Sequence, residues 1–90
     1  MFFWNFDMNL NTLASKLETG VSTAEIIYNA VEKKLETPCS PNDLREYLKD
    51  YTRKCVNVGV LVTTEENIKD TINYIVSKYE MRLNQIPKIS

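Results

Sequence analysis

Seven apolar residues, Ile68, Ile72, Ile75, Val76, Tyr79, Leu83 and Ile86, fall on a three-to-four-residue repeat. That period lays them along one face of a helix. Thr63 and Glu66 stand ahead of the stripe at capping-box spacing, and Glu65 and Glu66 bring negative charge to the positive end of the helix dipole. Pro87 marks the far limit. The pattern predicts a helix over 64–85, roughly 30 Å long. In a chain of 90 residues such a segment is a spine, and the other elements must be short enough to cover its apolar side.

Three more helices are expected before it. Leu10, Leu13, Ala14 and Leu17 share one face and predict a helix over 9–18, with Gly20 as the left-handed residue that ends it. Ser22 and Glu25 have capping-box spacing, and Val21 and Ile26 can form the accompanying hydrophobic staple. Ile27, Ala30, Val31 and Leu35 then carry a second helix over 23–36, stopped by Pro38. For the third, Ser40 is the cap, Pro41 takes the first position, where its missing N–H costs nothing, and Asp43 sits at N3. Leu44, Tyr47, Leu48, Tyr51 and Cys55 trace its apolar face over 41–54.

The segment Val56-Asn57-Val58-Gly59-Val60-Leu61-Val62 reads two ways. β-Branched residues at alternate positions suggest a short strand, while Gly59 and the brevity of the run fit an extended connector. A strand here needs a partner, and the aromatic run at 2–6 is the plausible one. The expected fold is therefore all-α: a small bundle of about four helices with a long C-terminal helix, carrying one short two-stranded β element (2–6 with 56–62) at most. The whole chain, 1–90, reads as one helical domain with an aromatic arm at 1–8. Two glycines and three prolines favour long regular segments over a turn-rich β design.

Composition removes much chemistry. The chain has no histidine, which excludes Ser-His-Asp and Cys-His catalysis and the commonest metal ligand. Two cysteines without histidine do not make the usual zinc sets, and two scattered glycines make no phosphate-cradling loop. No enzyme, cofactor or metal is expected. Cys39 and Cys55, joined by one helix, sit roughly 24 Å apart, far beyond disulfide reach. Unpaired thiols suit a reducing, cytoplasmic setting. Cys39 lies just before helix three, a place where thiols gain reactivity, but no second cysteine is near enough to resolve a sulfenic acid, so packing over the first turn is the plainer expectation. The apolar start of the chain lacks the basic region of a secretion signal, and no stretch approaches the roughly 20 apolar residues of a membrane helix. No membrane partner is expected.

Two features suggest binding. Phe2, Phe3, Trp4 and Phe6 are large aromatic anchors that fill a groove on a partner or fold back on their own core. Tyr74 and Met81 lie off the main stripe of the last helix and hint at a second buried face. Arg45, Lys49 and Arg53, with Lys54 and Asn42 nearby, form a basic stripe on helix three. That stripe contacts phosphates if helices two and three make a helix-turn-helix, or is a solvated face paired with Glu46 and Asp50. A net charge of −1 and a glycine-free, proline-containing turn argue for the second reading. The expected function is a non-enzymatic regulatory or adaptor protein that docks another protein, as a homodimer. A small DNA-binding regulator reading through helix 41–54 is the alternative, and a structural subunit of a larger helical assembly is the third.

Overall fold

The computed structural model describes residues 8–85. Among them are four helices and no strand: α1 (Leu10–Leu17), α2 (Val21–Lys34), α3 (Pro41–Asn57) and α4 (Glu65–Gln85). The chain forms a small all-helical bundle. α1 packs on α2 and α4, α3 packs on α4, and the seam between α2 and α3 is the thinnest. Ile72, Ile75, Val76 and Tyr79 of the α4 stripe are buried, in one core with Leu13 and Leu17 of α1, Ile27 and Val31 of α2, and Leu44 and Leu48 of α3. Ile68 and Leu83 pack at its margins. Ile86 lies outside the described residues, as does the 2–6 segment.

Helix starts follow local chemistry, with two corrections. Ser40 caps α3 as expected, its hydroxyl accepting from the Asp43 N–H at 3.1 Å with Pro41 at the first position. Asn9 caps α1 by accepting from the Thr12 N–H at 3.1 Å. The cap of α4 is Thr64 rather than Thr63, because its hydroxyl accepts from Asn67 N–H at 3.1 Å. Thr63 instead donates to the carbonyl of Leu17 at 2.6 Å and accepts from the Asn67 amide at 3.1 Å, tying the end of α1 to the start of α4. At α2 the Ser22–Glu25 capping box does not form. The helix begins at Val21 with Gly20 as its cap and no side-chain cap bond. The Ala24 N–H already donates to the Gly20 carbonyl at 3.1 Å, so the helical ladder starts two residues ahead of the expected Thr23 and takes in Ser22.

The helix ends explain the other differences. Gly20 is not the left-handed residue after α1; Glu18 is, at φ 55°. The amide of Glu18 donates to Ser15 at 3.2 Å and that of Thr19 to Ala14 at 3.0 Å, the paired bonds of a Schellman turn. α3 closes in the same way on Gly59, at φ 83°, with Gly59 bonded to Val56 at 3.1 Å and Val60 to Cys55 at 3.0 Å. Of the two readings of 56–62, the strand is therefore not the one that forms. Its first two residues extend α3 past the expected stop at Lys54, its glycine ends the helix, and only Leu61 of the rest is buried. Alternating valines looked like a strand, but no partner strand exists among the described residues to receive them. α2, conversely, ends at Lys34, before the expected 36.

Candidate functional site

The basic stripe of helix three borders a groove. α3 and α4 run antiparallel, as shown by Arg45 reaching Asn73 near one end while Asn57 and Glu65 flank the other. Between them lies a depression of about 610 Å³. The α3 bank contributes Arg45, Lys49, Thr52, Arg53, Val56 and Asn57, and the α4 bank Glu65, Ile68, Lys69 and Ile72. Spacing causes this: residues 45, 49, 53 and 56 follow one another at about one helical turn and so keep to one side of α3.

The floor of the groove is apolar and its rims are cationic. Ile72 is 5% exposed and forms the base, with Val56 at 40% and Ile68 partly buried above it. Thr52 is buried and harmless to that floor, since its hydroxyl donates back to the Leu48 carbonyl at 2.7 Å. Arg45, Lys49, Arg53 and Lys69 line the groove against one acid, Glu65. The two ion pairs among the described residues are Lys49–Glu46 at 3.6 Å and Lys54–Asp50 at 3.1 Å, both on exposed side chains. Such pairs contribute at most about 1 kcal/mol. Arg45 donates to the amide oxygen of Asn73 at 2.6 Å, and neither it nor Arg53 nor Lys69 meets a carboxylate among the described residues.

The sequence-derived candidates thus separate. Arg45, Lys49 and Arg53 come together on one rim, whereas Asn42 and Lys54 are exposed outside the groove. Lys69, Ile68 and Val56 were not singled out from sequence. Lys69 is a lone cation beside an apolar stripe, and only the packing of α4 on α3 carries it to the rim facing Arg53. Tyr74 is half-buried toward α1: the ammonium groups of Lys16 and Lys78 lie 5.2 and 5.7 Å from its ring, and its hydroxyl accepts from Asn9 N–H at 3.4 Å. Met81 is 54% exposed. Phe2, Phe3, Trp4 and Phe6 lie outside the described residues.

A second apolar surface adjoins the groove. Val58, Val60 and Val62 are exposed in the α3–α4 connection, and the Thr63–Leu17 bond places that connection at the end of the bundle where α1 finishes. Exposed Val21, at the start of α2, belongs to the same end. Both thiols are free, Cys39 half-buried and Cys55 buried, and burial pushes the Cys55 thiol above its ordinary pKa. Among the described residues no three metal-ligating side chains converge, and no helix is long and apolar enough to cross a membrane. No family profile matches the chain, and neither a similar curated protein nor a similar solved structure was found.

Proposed function

We propose that this chain is a non-catalytic docking protein that holds a segment of another protein in the α3–α4 groove. The observation that carries this reading is the pairing of an apolar floor with three rim cations, Arg45, Arg53 and Lys69, that have no ion-pair partner among the described residues. An apolar channel supplies affinity by burial, and charges around it set orientation and partner choice. A groove between two packed helices is a common seat for a peptide segment. Regulation or bridging then follows sterically: the bound segment is hidden from other partners.

Selection of a random peptide library displayed on phage against the full chain tests this. Peptides whose binding disappears in Ile68→Ser, with helicity and unfolding midpoint little changed, support the groove. Peptides indifferent to that substitution place docking elsewhere and overturn the reading. Light scattering of the chain alone tests homodimerisation. A dimer that Ile68→Ser dissociates makes the groove a self-association surface, and a dimer unaffected by it leaves the groove for another protein.

A further inference from the structure

The rim charges also specify what the groove takes, on the reading that the groove is the docking surface. We infer that its occupant is an acidic amphipathic helix of a partner protein, about 12 residues long. The length is that of the α3 bank from Arg45 to Asn57, about 18 Å at 1.5 Å per residue. A helix is the shape that lies in the valley between two packed helices with its side chains set between theirs.

The occupant's composition follows from the two banks. Val56, Ile68 and Ile72 require an apolar stripe facing down. On the α3 side, Arg45, Lys49 and Arg53 recur about every 6 Å, the rise of four helical residues. A helix laid alongside matches them with acids three or four residues apart. Lys69 on the opposite bank asks for an acid on the other flank of the stripe, and Glu65 repels one at the α3 C-terminal end. Counter-charges are not scarce in this chain, which has 12 acids to 11 bases. Yet of the α3 acids Asp43, Glu46 and Asp50, all on the exposed side, only Glu46 meets a groove cation, Lys49, in an exposed pair at 3.6 Å, and Arg45, Arg53 and Lys69 have no carboxylate among the described residues.

Other occupants fit less well. A nucleic-acid backbone has no use for an apolar floor, and it would meet those three acids beside the groove. A second copy offers Glu25 and Glu32 on the exposed side of α2 and Glu36 just past its end, but Ala24, Ile27, Ala30 and Val31 of that helix are buried in its own core. No free apolar stripe remains between those acids.

The test uses the full chain and three labelled peptides of about 15 residues, the length at which an isolated helix begins to be stable. Each carries leucines along one face; the flanks are Glu in the first, Gln in the second and Lys in the third. Fluorescence anisotropy should show the Glu peptide binding about tenfold or more tightly than the Gln peptide, with affinity falling as salt rises to about 0.5 M. Arg53→Glu with Lys69→Glu, both at exposed positions, should lose the Glu peptide and gain the Lys peptide. That exchange could not come from unfolding. Equal affinity for the Glu and Gln peptides overturns the acidic occupant and leaves groove docking intact. Failure of the Glu peptide to bind at all overturns it as well, and the library selection then decides separately whether the groove docks any protein. Displacement of the Glu peptide by random-sequence duplex DNA would reassign the cations to phosphate and also overturn the inference.

Discussion

The phenol of Tyr79 donates a hydrogen bond to the backbone carbonyl of Cys39 at 2.5 Å, across 40 residues of sequence. Tyr79 is fully buried, so one side chain of α4 both fills the core and fixes the connection between α2 and α3. That connection follows Leu35, is half covered at Cys39, and sets where Ser40 begins α3. Tyr79→Phe keeps the ring and removes the donor. The expected cost is about 1–2 kcal/mol, because a carbonyl in a partly buried site loses its partner. The urea midpoint should fall with an unchanged slope. An unchanged midpoint would mean that water replaces the phenol and that the connection is not held by this bond.

The two Schellman turns make a matched pair of backbone tests. Glu18 occupies a left-handed conformation that favours glycine, and it also brings a negative charge to the negative end of the α1 dipole. Glu18→Gly should therefore stabilise the fold by about 1 kcal/mol. Gly59→Ala should destabilise it by about the same amount. A β-carbon at Gly59 would meet no atom within 4 Å, so the backbone conformation alone carries that cost. Thermal melts of the two variants should move in opposite directions. Movement in the same direction would show that the turns are not held in these conformations.

Weak acids that are buried, as Cys55 and Tyr79 are, or half-buried, as Tyr51 is, make the fold sensitive to alkali. Burial raises Cys55 above its ordinary 9.0 and is the first cause raising Tyr79 and Tyr51 above 10.0; the Cys55 thiol and the Tyr47 phenol add to it at Tyr51, while at Tyr79 the backbone bond to Cys39 offsets part of the rise. In each case the native state holds its proton more tightly than the unfolded chain. Their contribution is fully present below the unfolded values and is lost as pH rises through the raised native ones. The urea midpoint should decline from about pH 9 upward, first through Cys55 and then through the two tyrosines. In Cys55→Ala the decline should begin about one unit later. A midpoint level to pH 11 would contradict the burial of these groups.

The bundle was legible because its signals are local. Stripes of apolar residues at helical spacing place α1 to α4 within a few residues, and Ser40 with Pro41 marks the start of α3. What misled were local signals with more than one solution. Ser22 and Glu25 have the spacing of a capping box, yet the ladder from Gly20 wins. Val56 to Val62 alternates like a strand, yet Gly59 ends a helix there. The groove was half legible. Arg45, Lys49 and Arg53 share a face that the helical period alone reveals. Lys69 and Ile68 join them only through the packing of α4 on α3, which no spacing in the sequence records.

The docking proposal also predicts that helix three does not read DNA, and this is open to direct measurement. A recognition helix turns its solvent side to the major groove and its cations to the phosphates. Here that side bears Asp43, Glu46 and Asp50. Lys49 and Lys54 are paired to the latter two, and Arg45 is half-buried and bonded to Asn73. On α3 that leaves Arg53 as the cation with neither an ion pair nor a side-chain hydrogen bond among the described residues. Each phosphate contact adds roughly 0.9 to the slope of log affinity against log salt, so a true DNA binder would show a steep dependence. Anisotropy of a labelled random-sequence duplex should stay flat on titration with the chain, even at low ionic strength. Binding that weakens steeply with salt, with a slope reduced by Arg45→Ala, would replace docking with DNA recognition through α3.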